Sequence, residues 1–222
     1  MTLEEAIAKI KPLDHNAMEI AQKRWDSIAK PLHSLGKLET LLIQIAGITG
    51  NAEVDLSRRG LIAMCADNGV VEEGVTQTGQ EVTAIVAENF LKYDTSVGVM
   101  CKQNHAEIFP VDMGMVTDTK VRTDHKIAYG TQNMTKGPAM TREQAVKGLE
   151  AGIDMVRELN DKGYRILATG EMGIGNTTTS SAVASVLLKQ PVEEMTGRGA
   201  GLTSEGLVRK INAIKKAITL NK

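Results

Sequence analysis

The sequence predicts an α/β fold in which a parallel sheet is flanked by helices in a Rossmann-like three-layer arrangement. Three short apolar runs, at 61–66, 106–111 and 164–169, are separated by stretches of helical periodicity. Wholly apolar runs of this length are typical of parallel strands buried on both faces, and their alternation with helices favours a layered domain. We expect this α/β domain to occupy residues 51–222, after a small helical subdomain at residues 1–50.

The composition excludes several classes of protein. A hydrophobic fraction of 42% in 222 residues is enough to form one core. The net charge of −1 and the aromatic content of 3% argue against nucleic-acid and membrane partners. The acidic N-terminus lacks a signal-peptide pattern and the two cysteines lie far apart, so we expect a cytoplasmic protein. The histidines and cysteines show no metal-binding spacing.

The first fifty residues are predicted to form helices. In residues 15–28 apolar side chains recur at helical spacing. After Pro31, Ser34 is expected to cap a second helix that stops at Gly47 and Gly50. The apolar face of this second helix consists of Leu35, Leu38, Leu41, Leu42 and Ile45.

The predicted α/β domain alternates strands with helices along the chain. Residues 141–144 form a capping box, which marks the start of a helix. That helix is expected to bury Val146, Leu149, Ile153 and Val156, and the final helix Leu207, Ile211, Ile214 and Ile218. The other predicted elements are helices at 80–92 and 95–103, an irregular segment at 115–138 and a helix over about 182–188.

Each predicted strand ends in a turn that combines a carboxylate with a glycine. The three turns are residues 67–69, 112–114 and 171–173. Because ligands of parallel sheets bind outside the carboxyl ends of the strands, we predict a small-molecule site at this edge. The alternative for any one of these turns is a side chain that only caps backbone groups.

Residues 170–180 form a turn with three glycines, one carboxylate and a run of hydroxyl side chains. Glycines let backbone N–H groups approach a ligand closely, and the N-terminus of the helix that follows attracts phosphate. Glu171 suggests that another part of the ligand requires a carboxylate. The turn matches neither the Walker loop nor the dinucleotide-binding pattern. The alternative is an ordinary strand-to-helix loop capped by Asn or Thr.

A second glycine cluster, at 196–201, precedes the final helix and its Lys210. Arg198 or Lys210 could bind an anion as a charged donor. The alternatives are a surface arginine in a loop and a lysine on a solvated helix face.

The chain resembles the nicotinate-nucleotide:5,6-dimethylbenzimidazole phosphoribosyltransferases of cobalamin biosynthesis, nearly from end to end. The resemblance rests on several motifs in one order. These are residues 30–39, 66–70, 80–83, 111–114, 137–141, 170–178 and 196–199.

The resemblance implies that the phosphoribosyl group of nicotinate mononucleotide is transferred to 5,6-dimethylbenzimidazole or a related aromatic base. The products are alpha-ribazole 5′-phosphate and nicotinate, and no metal or cofactor is implied. Glu171 matches a catalytic glutamate of the family, and Thr78 and Val86 fall where the family lines its base pocket. The predicted substrate-binding residues are Asp67, Thr78, Val86, Gly173, Gly175, Asn176, Thr177, Thr178, Gly197, Arg198, Gly199 and Lys210.

The chain departs from the family pattern at three points. Asn68 stands where the family often has histidine, and Val86 replaces a polar residue of the base pocket, so the identity of the accepted base is left open. The family continues beyond the position of Lys222 with a region that carries a second glutamate, its general base. We therefore expect that the C-terminal part of the family fold is missing and that these 222 residues alone turn over poorly.

Two other functions stay open from the sequence. The first is a non-catalytic or partner-dependent nucleotide-binding homologue. The second is a Rossmann-type methyltransferase, which is disfavoured because no glycine-rich loop follows the first strand. We expect small-molecule substrates and a homodimer, with a second homologous subunit as the alternative partner.

Overall fold

The computed structural model describes residues 1–221, and Lys222, the last residue of the predicted α/β domain, lies outside them. The chain divides into two compact units, Met1–Arg58 and Arg59–Lys222. The boundary predicted after residue 50 falls in the first unit, just beyond its last helix. None of the described helices is long and apolar enough to cross a membrane.

The first unit contains three helices: α1 (Leu3–Ala8), α2 (His15–Ser27) and α3 (Lys37–Thr49). The prediction that Ser34 caps α3 is wrong, because the N-cap is Gly36, in the left-handed region at φ 54° with no side-chain bond. The helix also continues past Gly47, where a Cβ would lie 2.7 Å from the side chain of Met18 on α2. Gly47 therefore serves helix packing, and the helix ends at Gly50 in the left-handed conformation.

The first motif of the family resemblance, residues 30–39, is closed by a buried ion pair between its two ends. The Lys30 ammonium lies 2.8 Å from Oε1 of Glu39, which also accepts the Leu35 N–H at 3.1 Å. The hydrogen bond from Lys30 holds the pKa of the Glu39 carboxyl below its usual range. The motif thus stabilises the turn that leads into α3.

The second unit carries the sheet. Its elements are β1 (Arg59–Ala66), a 3-10 helix (Gly69–Glu73), α4 (Glu81–Lys92), α5 (Ser96–Gln103), β2 (Ala106–Gly114), α6 (Arg142–Asp161), β3 (Ile166–Met172), α7 (Asn176–Leu188), α8 (Val192–Met195) and α9 (Ser204–Leu220). The strand order is β2-β1-β3 and all pairs are parallel. The predicted fold class, a parallel sheet flanked by helices, is confirmed.

Helices cover both faces of the sheet. On one face, Ala87 and Phe90 of α4 pack against Ala63 and Cys65 of β1. On the other face, side chains of α6 and of the sheet form a second cluster. Its buried members are Ile62, Val111, Met155, Leu159 and Tyr164. Since successive side chains of a strand point to opposite faces, this arrangement produces the three layers.

The predicted apolar face of α6 is wrong. Leu149 and Val156 are exposed, and the buried residues are Ala151, Met155 and Leu159. Both sets recur at helical spacing, so periodicity alone did not distinguish them. The capping box is confirmed, with Thr141 accepting the Gln144 N–H at 3.1 Å.

The strand predicted at 164–169 lies at the edge of the described sheet instead of in its buried centre. It runs over Ile166–Met172, pairs only with β1 among the described strands, and leaves Ile166, Ala168 and Thr169 exposed. Its apolar residues suggested burial on both faces, but an edge strand has one neighbour.

Candidate functional site

The three predicted strand ends lie at one edge of the sheet. Cys65 of β1 is opposite Asp112 of β2 and Met172 of β3, so the residues that follow each strand come together. In the order β2-β1-β3, the connection after β1 leads to the strand on one side of β1, and the connection after β2 leads to the strand on its other side. Such a switch point is where parallel sheets bind ligands.

Two of the three carboxylates at this edge are fully buried and bonded to backbone. Asp112 accepts the N–H groups of Gly114 at 2.9 Å and Met115 at 2.7 Å, and its other oxygen lies 3.1 Å from the Lys126 ammonium. Asp67 accepts the Val116 N–H at 2.8 Å. The capping alternative considered for single turns therefore describes Asp112, whereas the second carboxylate oxygen of Asp67 has no hydrogen-bond partner among the described residues.

Glu171 is the exposed carboxylate of the three. It lies within β3, opposite Met64, and not in the turn as predicted. Leu167 of the same strand packs against the α6 side of the sheet. Because side chains alternate along a strand, Glu171 faces that same side and is free to reach a ligand.

The turn between β3 and α7, residues 173–175, is shaped by close backbone approach. A Cβ at Gly173 would lie 2.1 Å from the carbonyl oxygen of Ala66, so only glycine fits there. Gly175 has φ 91° and is the N-cap of α7, which it leaves without a side-chain cap. The alternative of a loop capped by an Asn or Thr side chain is therefore wrong. In the first turn of α7 the N–H groups of Asn176, Thr178 and Thr179 donate to the carbonyls of Gly173 and Gly175, so the Thr177 N–H is left for water or a ligand.

The peptide of Ile174 in this turn is bonded at both ends by side chains from distant elements. Its N–H donates to the hydroxyl of Thr83 on α4 at 3.0 Å, and its carbonyl accepts Nδ2 of Asn68 at 3.2 Å. Neither residue is among the predicted substrate-binding residues, although Asn68 belongs to the predicted turn at 67–69. Both contacts span about a hundred residues of sequence, so no local pattern indicates them.

Lys210 of α9 reaches the first turn of α7 and the second glycine cluster. Its ammonium donates to Oγ1 of Thr177 at 2.7 Å and to the carbonyl of Gly197 at 3.1 Å. A Cβ at Gly199 would lie 2.9 Å from Oγ1 of Thr177 and 3.5 Å from the ammonium. We call these four residues the lysine cluster; three of them are exposed, and Lys210 is 1% exposed.

The charge of Lys210 is not balanced inside the protein. Among the residues that the structure describes, no carboxylate lies within ion-pair distance of its ammonium. Burial lowers the pKa of Lys210, because the charged form loses water. A buried ammonium with two neutral partners, beside an uncapped helix N-terminus, is suited to an anion.

Three other predicted substrate-binding residues, Arg198, Thr178 and Asn176, accept no hydrogen bond from the Lys210 ammonium. The Arg198 guanidinium donates to the Leu202 carbonyl at 2.8 Å and to Oγ of Ser204 at 3.1 Å, which braces the entry to α9. Thr178 is fully buried and its hydroxyl has no hydrogen-bond partner in the described chain. Asn176 opens α7 and donates its N–H to the carbonyl of Gly173. Anion binding by these three residues stays a prediction.

Thr78 and Val86, the predicted base-pocket residues, belong to neighbouring elements. Thr78 is exposed in the segment before α4, and the adjacent Gln77 donates to the Gly201 carbonyl. Val86 lies on α4 and packs against the core under the sheet. The segment of Thr78 is thereby attached to the second glycine cluster.

A cavity of about 810 Å³ opens beside the first turn of α7. The polar residues of its lining are Asn68, Thr131, Thr179 and Ser180, and the rest of the lining is apolar. This volume lies within the range of small-molecule sites.

Comparison with known proteins identifies the family of the chain. The sequence profile of a family described as Phosphoribosyltransferase matches residues 10–222. The nicotinate-nucleotide–dimethylbenzimidazole phosphoribosyltransferases of Ruminiclostridium cellulolyticum and Clostridium acetobutylicum are 51% and 49% identical to the chain, covering 100% of it. The chain spans 64% of the length of each of these relatives.

A solved structure is also similar in fold. The crystal structure of CobT from Thermus thermophilus superimposes with a TM-score of 0.84 at 36% identity, covering 92% of this chain and 62% of that one. The family profile spans nearly the whole chain, and the structural match covers 92% of it. The chain belongs to the phosphoribosyltransferase family whose members include the nicotinate-nucleotide–dimethylbenzimidazole phosphoribosyltransferases.

Proposed function

We propose that this chain binds nicotinate mononucleotide and takes part in transferring its phosphoribosyl group to 5,6-dimethylbenzimidazole or a related aromatic base. The observation that carries the proposal is the lysine cluster. A buried ammonium without a carboxylate partner in the described chain, next to an uncapped helix N-terminus, fits a phosphate. The names of the relatives identify which phosphorylated substrate to test first.

The residues divide the chemistry between them. The lysine cluster holds the 5′-phosphate and fixes the ribose at the carboxyl edge of the sheet. The bond from C1′ to the nicotinate nitrogen breaks and its electron pair neutralises the pyridinium, while a benzimidazole nitrogen forms the new bond to C1′. Glu171, the exposed carboxylate at this edge, stabilises the positive charge that develops on the ribose and accepts the proton released by the base.

A substitution at Gly199 tests phosphate binding. Gly199→Ala places a Cβ against Thr177 and the Lys210 ammonium, so we expect affinity for nicotinate mononucleotide and inorganic phosphate to fall by roughly tenfold, as for loss of one charge-assisted bond. Isothermal titration measures both. Gly74→Ala is the matched control, because Gly74 has φ 63° against 58° at Gly199 and a Cβ there has only Arg209 nearby, at 3.8 Å.

The control should lose stability through backbone strain but keep its affinity. Equal affinity in the parent and Gly199→Ala would contradict phosphate binding at the lysine cluster. If the parent binds neither ligand, the proposed function is wrong.

A partner-dependent or non-catalytic nucleotide-binding protein is the second candidate. It is favoured by one observation at the edge of the sheet: Asp67 and Asp112 accept backbone N–H groups, and only Glu171 of the three carboxylates is exposed.

We also propose that the chain forms a homodimer in the cytoplasm, with a second homologous subunit as the alternative. Apolar side chains of α7 are exposed, including Val183 at 57% and Leu187 at 74%. Exposed apolar surface of this kind is typical of protein interfaces. Cys65 and Cys101 are free and buried, which favours a reducing compartment. Sedimentation velocity at micromolar concentration should give twice the chain mass, and a monomer would contradict the proposal.

A further inference from the structure

We propose that Thr83 and Asn68 are positioning residues. They hold the backbone N–H and carbonyl of Ile174 and thereby set the geometry of the turn at 173–175, which leads into the proposed phosphate site. This inference rests on the proposed function, since it concerns the same turn. Both side chains are buried. They act on substrate binding through the backbone of Ile174 and do not contact the substrate.

Thr83 is fully buried on the inner side of α4. Its hydroxyl oxygen accepts the N–H of Ile174 at 3.0 Å across 91 residues of sequence. Thr83 is the third residue of α4 and lies in its first turn, next to the segment that precedes the helix. Without the hydroxyl, the Ile174 N–H would lose this acceptor in a half-buried turn.

Asn68 connects the end of β1 to both sides of the same turn. Its Nδ2 donates to the Ile174 carbonyl at 3.2 Å, and its Oδ1 accepts the hydroxyl of Thr179 in the first turn of α7 at 3.2 Å. Its own carbonyl accepts Nε2 of Gln80 at 3.2 Å. Asn68 therefore ties β1, the segment before α4 and the start of α7 together at one point.

The turn requires such support because its own residues do not define its shape. Gly173 and Gly175 flank Ile174, and glycine populates more backbone conformations than any other residue. Gly175 caps α7 without a side-chain bond. The direction of α7, and with it the position of the Thr177 hydroxyl against Lys210, then depends on where the Ile174 peptide is held. Displacements of about 1 Å are enough to weaken binding and catalysis strongly.

Thr83→Val and Thr83→Ser form the test pair. Valine keeps the shape of threonine but accepts no hydrogen bond, whereas serine keeps the hydroxyl and loses a methyl group. We expect Thr83→Val to bind inorganic phosphate and nicotinate mononucleotide roughly five- to twentyfold more weakly, as for one lost hydrogen bond, and Thr83→Ser to stay within twofold of the parent. Titration is done well below the melting temperature of every variant.

Thr135→Val is the control for a purely structural loss. Thr135 is 2% exposed and donates its hydroxyl to Glu73 at 2.7 Å, away from the turn. This variant should lower the melting temperature without changing phosphate affinity. If affinity in all three variants follows the melting temperature, the role of Thr83 is structural only and the inference is overturned.

Asn68→Ala removes the other side chain that bonds the backbone of Ile174, and it tests the inference if Thr83→Val does not fold. It should weaken phosphate binding by a similar factor. The double variant should lose less than the product of the two factors, because both side chains hold the backbone of one residue, Ile174. Parent-like phosphate affinity in Thr83→Val and Asn68→Ala would overturn the inference and leave the proposed function standing. No phosphate binding by the parent would overturn both.

Discussion

Lys210→Met is expected to remove most of the affinity for nicotinate mononucleotide while making the fold more stable. A hydrogen bond to a charged group contributes about 1.5–3 kcal/mol, so the loss in affinity should be roughly 10- to 150-fold. Methionine has nearly the length of lysine without its charge, so it can fill the buried path of the side chain from α9.

The gain in stability follows from the surroundings of the ammonium. Lys210 is 1% exposed and bonded to two neutral oxygens, those of Thr177 and Gly197. Both of these residues are exposed, so water can replace the lost donor. Removing a buried charge without leaving unsatisfied partners is neutral to stabilising. A gain of about 1 kcal/mol would raise the melting temperature of a chain this size by roughly 2–4 °C.

The dependence of this gain on pH has a definite sign. The pKa of Lys210 is lowered in the folded chain, so between this value and the ordinary lysine pKa the unfolded chain binds more protons than the folded one. The parent therefore gains stability relative to Lys210→Met as pH rises through that window. The advantage of the variant should be full below the folded pKa and should shrink as pH approaches about 10.4.

Lys215→Met is the matched control, since Lys215 is an exposed lysine on the same helix, paired with Glu193. Titration calorimetry and thermal unfolding measure the two effects. The control should change neither the affinity nor the melting temperature by much. Affinity within twofold of the parent for Lys210→Met would show that the lysine cluster does not bind the nucleotide. A lower melting temperature would show that the two hydrogen bonds of Lys210 outweigh its burial.

The sequence was sufficient to predict that the three carboxylate-containing turns lie at one edge of the sheet. Parallel strands bring their carboxyl ends together whatever the rest of the fold does, so residues 67–69, 112–114 and 171–173 could be grouped before any coordinates. The pairing of Cys65 with Asp112 and Met172 confirms the grouping. The prediction depended only on the strand assignments and on one rule of topology.

The buried faces of α3 and α6 could not be predicted in the same way. α3 carries apolar side chains around most of its circumference, and the structure leaves Leu38 and Leu41 exposed while it buries Ala46 and the Lys30 partner Glu39. Periodicity shows that a helix has an apolar stripe, but which stripe is covered depends on the neighbouring elements. Small residues such as Ala46 allow the close approach that the packing requires.

The side-chain bonds that hold the turn at 173–175 also could not be predicted from local sequence patterns. Thr83 and Asn68 lie in sequence motifs that carry the family resemblance, yet nothing in those motifs indicates that both bond the peptide of Ile174. Their bonds close loops of 91 and 106 residues. Such contacts follow from the tertiary fold and are visible only in it.

Glu171→Gln is expected to lower turnover by about 10²- to 10⁴-fold, the range for loss of a positioned acid–base group. Affinity for nicotinate mononucleotide should change little, because the proposed phosphate site lies on α7 and α9 whereas Glu171 lies on β3. Glutamine keeps the size and polarity of the side chain but neither takes up the proton of the base nor carries negative charge. Thr169→Val is the control, as an exposed residue two positions earlier on the same face of β3.

The rates are to be measured in two forms of the protein. One is this chain alone, and the other is this chain joined to the part of the Ruminiclostridium cellulolyticum relative that it does not span. We expect turnover mainly in the joined form, because Asp67 and Asp112 are held by backbone and leave Glu171 without a second free carboxylate at this edge. Equal rates in both forms would show that Glu171 suffices. Full activity of Glu171→Gln in the joined form would show that Glu171 takes no part in the reaction. The carboxyl edge of the sheet would then serve nucleotide binding alone.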